Sequence, residues 1–467
     1  MKKKIFRVLS VFLIFLLVFA YPVSAAEDTN YVIDKGKHIT TPALYSVERV
    51  IDRVSAEDFF DQIENMFIDQ NDNLFIADSG NNRIVRFDPN GRLVKIYTAG
   101  GALNKPSGMY YDNNILYIAD TENERVVCVD ENDQTVNEIF KPESDLLDDT
   151  LRFDPNNIAV GIQGYIYVLK SQRFMSISQE GDFKGFIGAT KVTPDIGQIL
   201  TRIFASPEQK KKMVKVYPDF YLNFTMNNGA IYAVASNKTS QIRKINMVGD
   251  NLYPLKFYGE REINISGEYV YPNFTSIGVA NDGIISVLEQ YGKKIYQYDQ
   301  NGNMICFFGG EGEVRGRFVT PISVAVDSKG SVYVADGTLK NIQVFSRSAF
   351  ADLIYSAMSA YEEGDYELAY TEYRQALDAN SNYPIANDGI AKCLYKMGRT
   401  DEAMSAFRAS ENKDGYGQML VEYREQVIQK HFSGIVFIAA LIIGLLIFSL
   451  IKTKKYADKL IKRYYKI

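Results

Sequence analysis

The chain has 467 residues, 46% of them hydrophobic and 23% charged, so it can form two or more domains with cores of their own and is not a disordered chain. Setting aside the 4 basic residues of segment 1–26, and the 7 basic residues and 1 acidic residue of segment 452–467, leaves 41 basic and 56 acidic residues. A body this acidic repels the phosphate backbone, and we expect no nucleic-acid partner.

The first 26 residues have the organisation of a secretory signal peptide. A basic start, MKKK, is followed by the apolar run IFRVLSVFLIFLLVFA. Small residues follow in YPVSAA, where cleavage is expected after Ala25 or Ala26. An uncleaved membrane anchor is the alternative.

A short apolar motif recurs six times along the chain. Its copies are LFIAD at Leu74, LYIAD at Leu116, IYVLK at Ile166, IYAVA at Ile231, IISVL at Ile284 and VYVAD at Val332. Each copy follows a turn and precedes a second strand-like run, and the spacing of 42 to 65 residues is that of a four-stranded unit. The pattern predicts a mainly β fold, a six-bladed β-propeller over residues 43–348.

The propeller needs one strand from outside the repeats. The β pattern stops after Ser348, before the last blade has an outer strand, whereas ALYSVERVIDRV, residues 43–54, is strand-like and belongs to no blade. We expect residues 43–54 to complete the sixth blade and close the ring. The longest spacing contains an insert, 190–220, predicted to form one or two short helices, one of them starting at Ser206. It serves either as a partner-binding element or as an inert surface insertion.

The repeats resemble NHL repeats. The stretches ADSGNNRIVRFD, ADTENERVVCVD and ADGTLKNIQVF carry the resemblance, with KPSGMYYD and TPISVAVD ahead of them, and it covers most of 63–345. Copies three to five lack the Asp and the Asn-x-Arg loop. The resemblance implies a ring that offers one face to proteins, RNA or glycans, with enzymes in the minority. The candidate binding rim consists of Asp78, Asn81, Asn82, Arg83, Asp120, Glu124, Arg125, Asp336 and Asn341.

Reactive side chains are scarce in the repeats. The only two histidines, His38 and His431, lie outside them, which excludes a three-His zinc site or a Ser-His-Asp triad inside the ring. The three cysteines, Cys128, Cys306 and Cys393, are odd in number and far apart, so they define no disulfide framework and are expected in the core. We therefore expect no catalytic residue and no cofactor.

Calcium is the one alternative that the inventory leaves open. Asp78, Asp120 and Asp336 end the same strand in three blades, and gluconolactonase-like propellers hold a divalent ion on the axis with acid and amide oxygens. In the competing interpretation, these aspartates and the arginines Arg83 and Arg125 tie neighbouring loops together by hydrogen bonds.

From Ala351 the period changes to one typical of helices. Small and aromatic residues recur 34 positions apart in YEEGDYELAYTEYRQAL and YKMGRTDEAMSAFRASE, which resemble tetratricopeptide repeats. The packing positions are Gly364, Ala369 and Tyr373 in the first repeat and Gly398, Ala403 and Phe407 in the second. Residues 351–432 are predicted to form two such repeats and a capping helix, Met419–Phe432, which would pack through Leu420, Tyr423 and Val427. A peptide-binding clamp and a rigid stalk are both consistent with this pattern.

The sequence of the C-terminal part predicts a membrane anchor. The run GIVFIAALIIGLLIFSLI, within segment 433–451, has no charge and is long enough to cross a bilayer, although a buried core helix is an alternative. The basic tail, 452–467, is expected in the cytosol by the positive-inside rule, which leaves the body outside.

These features favour a bacterial single-pass surface protein that acts as a non-catalytic scaffold. Its partners would be proteins at the membrane surface, for example those of a transport system, and glycans are candidate ligands because 32 tyrosines offer stacking surfaces. The alternative is a metal-dependent lactonase or hydrolase that uses axial carboxylates. A sensor is a third hypothesis, which the 16-residue tail makes less favourable.

Overall fold

The computed structural model describes residues 30–34, 37–144, 147, 152–170, 173–187, 220–263, 266–410 and 412–465. The expected signal peptide and the insert, except Phe220, lie outside the described residues. The chain divides into two compact units at residue 352. In the described residues, the first unit consists mainly of strands and the second of helices.

The first unit is a six-bladed β-propeller, as the repeats predicted. The strands before the first blade are β1 (Asn30–Asp34), β2 (Lys37–Thr41), β3 (Tyr45–Ile51), β4 (Arg53–Ser55) and β5 (Asp58–Phe59). Blade 1 contains β6 (Ile63–Ile68), β7 (Leu74–Asp78), β8 (Arg83–Phe87) and β9 (Leu93–Tyr97). Blade 2 contains β10 (Pro106–Asp112), β11 (Ile115–Asp120), β12 (Arg125–Asp130) and β13 (Thr135–Ile139). Blade 3 contains β14 (Pro155–Val160), β15 (Ile166–Lys170), β16 (Arg173–Ile177) and β17 (Phe183–Phe186).

The remaining blades are less regular. Blade 4 contains β18 (Tyr221–Asn227), β19 (Ala230–Ala235) and β20 (Ile242–Ile245), and the hairpin of β21 (Glu262–Ile263) and β22 (Tyr269–Val270) follows it. Blade 5 contains β23 (Phe274–Val279), β24 (Ile285–Glu289), β25 (Lys294–Tyr298) and β26 (Met304–Gly309). Blade 6 contains β27 (Pro321–Val326), β28 (Val332–Asp336) and β29 (Asn341–Arg347).

The second strand of each blade explains the repeated apolar motif. Strands β7, β15, β24 and β28 are buried at every position, because each lies in the middle of a sheet whose two faces pack against neighbouring blades. Between blades 6 and 1, for example, Ile76 and Val85 share a core cluster with Ala335 and Val344. The hydrophobic core is therefore divided into layers between the blades.

The ring closes through β3. This strand lies within residues 43–54 and pairs antiparallel with β29, so that it is the fourth strand of blade 6. Tyr45 at its start is 1% exposed, donates to the carbonyl oxygen of Gly330 at 3.2 Å and accepts from Nε2 of Gln297 at 3.0 Å. The N-terminal strand thus joins blade 6 and also contacts blade 5.

Two departures from the four-stranded pattern were not predicted. The hairpin of β1 and β2 pairs with β26 and extends blade 5 to six strands. Within the described residues blade 4 has three strands, and the segment after β20 runs beside it, where the amide of Leu252 donates to the carbonyl oxygen of Lys244 at 2.6 Å. Tyr253 and Tyr258, both buried, pack there in place of a fourth strand.

The second unit is helical. Its helices are α1 (Ala349–Glu363), which begins just before the boundary, α2 (Tyr366–Ala379), α3 (Pro384–Lys396), α4 (Thr400–Ala409) and α5 (Lys413–Tyr465). The carboxylate of Asp365 caps α2 by accepting from the amide of Leu368 at 3.1 Å, and Pro384 occupies the first turn of α3. Helices α1 to α4 form the two hairpins that the 34-residue spacing predicted.

Candidate functional site

The predicted rim residues lie where the second strand of a blade ends. Asp78, Asp120 and Asp336 end β7, β11 and β28, and all three side chains are fully buried. Each carboxylate accepts hydrogen bonds from the loop that follows it and from the segment that leads into its own blade. The rim residues are thus brought together within each blade.

In blade 1 the rim is a closed hydrogen-bond network. Oδ1 of Asp78 accepts from the amide of Asp61 at 2.7 Å, and its Oδ2 accepts from Nδ2 of Asn81 at 3.0 Å and from Nε of Arg83 at 2.7 Å. The other face of the Arg83 guanidinium forms a bidentate pair with Asp58, at 2.6 and 2.7 Å. This arginine holds the pKa of Asp58 below its usual value.

Blade 2 repeats the arrangement. Asp120 accepts from the amide of Asn104, from Nδ2 of Asn123 and from Nε of Arg125, each at 2.8 Å. A terminal nitrogen of Arg125 contacts the carboxylate of Glu138. All the acceptor oxygens of the buried aspartate therefore point at protein donors.

Asn82 and Glu124 occupy equivalent exposed positions in these two loops. Both have left-handed backbones, with φ of 52° and 55°. Oδ1 of Asn82 accepts from the amide of Lys105 at 2.8 Å and so links blade 1 to blade 2, whereas Glu124 pairs with Nε of Arg152 at 3.0 Å. These two side chains face solvent on the rim and are held in place by the buried ones.

In blades 5 and 6 a buried carboxylate also connects the loops, but it accepts from backbone amides instead of from an arginine. Asp336 accepts from four backbone amides, two before β27 and two after β28, at 2.7 to 3.0 Å. Asn341 lies opposite it in the strand register. The fifth copy lacks the Asp, and Glu289 takes its place: its oxygens accept from the amides of Asn273, Tyr291 and Gly292 at 2.6 to 3.1 Å.

The three aspartates considered as calcium ligands belong to three different blades. The carboxylate oxygens of Asp78, Asp120 and Asp336 accept hydrogen bonds from N–H groups of their own blade. This agrees with the interpretation in which the aspartates connect neighbouring loops. Among the described residues, no group of three or more His, Cys, Asp or Glu side chains is placed to hold a metal ion. His38 pairs with Glu260 at 2.6 Å, and His431 is exposed on α5.

The axis of the ring is lined by a second set of residues that the sequence analysis did not single out. Each inner strand has a β-bulge near its start, and the residue after the bulge faces the same level of the axis. We call these six positions the axial belt: Asn65, Gly108, Asn157, Asn223, Ser276 and Ser323. They are neutral, so the belt contributes no axial carboxylate.

Hydrogen bonds connect most of the axial belt around the ring. Nδ2 of Asn157 donates to Oδ1 of Asn223 at 2.8 Å, and Nδ2 of Asn223 donates to Oγ of Ser276 at 3.3 Å. Oγ of Ser276 also accepts from the amide of Val324 at 3.0 Å, next to Ser323. Oγ of Ser323 in turn donates to Oδ1 of Asn65 at 2.8 Å.

The axial belt is interrupted at Gly108. A Cβ on this residue would lie 2.7 Å from the carbonyl oxygen of Asn156 and from Cα of Asn157, so no side chain fits there. On its blade 2 side, Asn65 therefore has no side-chain partner in the belt. A cavity of about 620 Å³ begins at the belt and extends to the turns that follow the inner strands, at the end of the ring opposite the predicted rim.

In the helical unit the predicted packing positions are where the repeat pattern requires them. Gly364 and Gly398 have left-handed backbones, with φ of 89° and 76°, in the turns that end α1 and α3. The small and aromatic positions are buried: Ala369, Ala403, Tyr373 and Phe407.

The capping face of α5 differs from the prediction. Met419 is 3% exposed and packs with Phe407, whereas Leu420, Tyr423 and Val427 are 37 to 38% exposed. The helix therefore contacts the second repeat through Met419 rather than through the three predicted residues. Further along, α5 is the one described helix that is long and apolar enough to be a candidate membrane span.

Comparison with known proteins agrees with the helical assignment. The tetratricopeptide repeat family matches residues 360–415. No curated protein sequence matches the chain.

Several solved structures are similar to this chain at low identity. A catalytically inactive virginiamycin B lyase from Staphylococcus aureus with quinupristin is 13% identical, with a TM-score of 0.41 over 69% of this chain and 97% of that chain. The hydrazine synthase of Kuenenia stuttgartiensis is 11% identical, with a TM-score of 0.40 over 62% of this chain and 96% of that one. A Bacteroides thetaiotaomicron protein of unknown function is 14% identical, with a TM-score of 0.42 over 68% and 80%. Similarity at this level carries no argument about activity.

Proposed function

We propose that this protein is a non-catalytic scaffold that is anchored in a membrane and binds protein partners outside the cytoplasm. The observation that carries the proposal is the order of parts in one chain: a propeller, helices that match the tetratricopeptide family, and α5 with its apolar stretch. Propellers and tetratricopeptide arrays are built from repeats and present extended surfaces to other molecules.

The charges at the two ends support an orientation. The tail 452–467 carries 7 basic residues and 1 acidic residue, which favours the cytosol for the C-terminus. The signal-like segment 1–26 favours export of the body, whose excess of acidic residues is compatible with an extracytoplasmic surface. We infer a single span within 433–451 and a body outside.

The NHL-like rim is the surface that we assign to a partner. Asn81, Asn82 and Glu124 are exposed there, and the buried carboxylates and arginines hold their loops in a fixed conformation. A rigid rim lowers the entropic cost of binding. The same hydrogen bonds occupy the aspartates that a metal-dependent lactonase would need, which favours scaffolding over hydrolysis. Among scaffolds, we favour one that serves a surface transport system.

Topology can be tested with the full chain carrying a short epitope tag after Ile467. Protease added to intact cells from which the wall has been removed should digest the body and leave a tagged fragment that contains α5. Digestion of the tag, or protection of the body, would contradict the orientation. Permeabilised cells, in which both sides are accessible, are the control.

Partner binding can be tested by site-specific photo-crosslinking in membranes. A crosslinking amino acid at Asn82 or Glu124 on the rim, or at exposed Arg374 on α2, should yield a discrete adduct with a membrane or surface protein. The control position is Asn132, which is exposed in a turn at the opposite end of blade 2. Absence of adducts from the rim and from α2 would contradict the scaffold proposal.

A further inference from the structure

We propose that the cavity on the propeller axis is a binding site for a small, uncharged, hydroxyl-rich molecule such as a sugar, which the amide of Asn65 anchors at the interruption of the axial belt. The mouth of this cavity lies at the opposite end of the ring from the rim proposed for protein partners. The inference therefore stands independently of the scaffold function.

The side-chain amide of Asn65 has a fixed orientation. Its Oδ1 accepts from the amide of Met66 at 2.9 Å and from Oγ of Ser323 at 2.8 Å. A backbone amide can only donate, so the oxygen must occupy this side and Nδ2 must point the other way. Asn157 and Asn223 are oriented in the same manner by the amides of the residues that follow them.

Asn65 differs from those two residues because its donor is unused. Nδ2 of Asn157 donates to Asn223, and Nδ2 of Asn223 donates to Ser276, whereas Nδ2 of Asn65 has no acceptor within the part of the chain that the structure describes. Asn65 is 8% exposed and lines the cavity. Nδ2 is therefore free to donate to an oxygen of a ligand in the cavity.

Two aromatic rings beside Asn65 provide apolar faces that are tilted by 42° to each other. Phe67, two residues along the same strand, packs against Tyr110 of blade 2 with ring centroids 4.9 Å apart, and both residues are half-buried at the cavity. Burial raises the pKa of Tyr110, so its hydroxyl stays protonated and remains a donor. A ring face next to hydrogen-bonding groups suits a molecule with C–H faces and hydroxyl edges.

The charges around the cavity favour a neutral ligand. Among the residues that the structure describes, no Lys, Arg or His lines the cavity, whereas Asp69, Asp72 and Asp327 lie in the turns at its mouth. These carboxylates would repel an anion. Each of them already accepts at least two hydrogen bonds from turn or inter-blade donors, which leaves little capacity to bind a cation tightly. The volume of about 620 Å³ lies within the usual range of small-molecule sites.

The test is direct binding to the full chain in phospholipid nanodiscs, because alkyl glycoside detergents would compete with sugars. The probes are glucose, galactose, xylose, N-acetylglucosamine, maltose and cellobiose, with spermidine as the cationic probe and citrate as the anionic one. Isothermal titration calorimetry gives the affinity. We expect at least one neutral sugar to bind, and neither charged probe.

Three variants locate the site. Asn65→Asp keeps an oxygen for Met66 and Ser323 but replaces the free donor by a carboxylate oxygen, and should weaken sugar binding about tenfold or more. Tyr110→Phe, which introduces no charge, should weaken it less but measurably. The matched control is Asn301→Asp, in an exposed turn of blade 5, which should bind as the parent does.

Three results would overturn the proposal. The first is no sugar binding in the parent, and the second is unchanged sugar binding in both Asn65→Asp and Tyr110→Phe. The third is binding of spermidine alone, which would assign the cavity mouth to a cation through its three carboxylates. Because Tyr110→Phe leaves the axial belt intact, it keeps the test decisive if Asn65→Asp does not fold.

Discussion

The ring of Tyr373 in α2 lies directly against Gly389 in α3. A Cβ on Gly389 would stand 2.4 Å from Cε2 of that ring, well inside van der Waals contact. Phe407 in α4 makes the same kind of contact with Gly415 in α5, where a Cβ would stand 2.5 Å from the ring. In both repeats, an aromatic residue packs on a glycine of the next helix.

Gly389→Ala is expected to destabilise the helical unit. In an exposed helix this change gains about 1 kcal/mol from helix propensity. Here the methyl group must displace the Tyr373 ring, and overpacking of this kind costs about 1–3 kcal/mol, so we expect a net loss. Hydrogen exchange of α2 to α4 in the full chain should show faster opening.

Gly417→Ala is the matched control for that change. Gly417 also lies within a helix, α5, but nothing stands within 4 Å of an added Cβ. It should slow the opening of α5 or leave it unchanged. If the two substitutions change helix opening equally, the Tyr373 ring can move aside without a loss of stability. The close contact with Gly389 would then not limit the stability of the helical unit.

The ring and its closure were predictable from sequence because their signals are local. Each buried second strand repeats an apolar run of five residues, and β29 has no outer neighbour in sequence, so a strand had to come from elsewhere. The packing positions of the helical hairpins, such as Gly364 and Tyr373, were predictable for the same reason: their spacing is fixed by the repeat.

The axial belt was not predicted because none of its members is unusual alone. The signal is visible only when IENMF, PSGMY, PNNIA, YLNFT, FTSIG and PISVA are aligned, where Asn, Gly or Ser recurs third in each. Glu289 was missed because a carboxylate one methylene longer satisfies the same amides without matching the motif. The capping face of α5 was missed because periodicity alone does not show which side of an apolar helix meets protein.

Three fragments should distinguish the contribution of β3 to ring closure from the contribution of the N-terminal hairpin, β1 and β2. Fragment 27–348 should fold as a soluble β protein with one cooperative unfolding transition. Fragment 43–348 lacks β1 and β2 but retains β3, and should also fold. Fragment 55–348 lacks β3 and so exposes the edge of β29 and removes Tyr45 from Gln297 and Gly330. It should aggregate or unfold without cooperativity.

Circular dichroism and size-exclusion chromatography distinguish these outcomes. A folded, monomeric fragment 55–348 would contradict closure by β3. If fragment 27–348 folds and fragment 43–348 does not, the hairpin of β1 and β2 on blade 5 is essential for folding.

Asp78→Asn is expected to destabilise the propeller strongly. The fully buried carboxylate pairs with Arg83, and breaking a buried pair by removing one charge costs about 3 kcal/mol. Asp88→Asn is the control, because Asp88 lies in an exposed turn and the new amide oxygen can still accept from Asn90 and Arg92. Chemical denaturation of the full chain should show a lower midpoint only for Asp78→Asn. Similar midpoints for both variants would mean that the rim network adds little to stability.

The three cysteines offer a way to observe the two units separately. All are buried, Cys128 and Cys306 in the propeller and Cys393 in the helical unit. Burial raises the pKa of the Cys128 and Cys393 thiols to about 12, and also raises the pKa of Cys306, so almost no thiolate is present near neutral pH. In the native full chain, a maleimide should therefore label none of them at about pH 7, and all three after denaturation.

With increasing denaturant, the order of labelling reports which unit opens first. The helical unit has only two repeats, fewer than usually fold stably alone, so Cys393 should react at lower denaturant than Cys128 and Cys306. The two propeller thiols lie in different blades but should react together, because a closed ring unfolds as one cooperative body. Separate labelling of Cys128 and Cys306 would show that the ring opens blade by blade, and early labelling of both before Cys393 would reverse the expected order of stability.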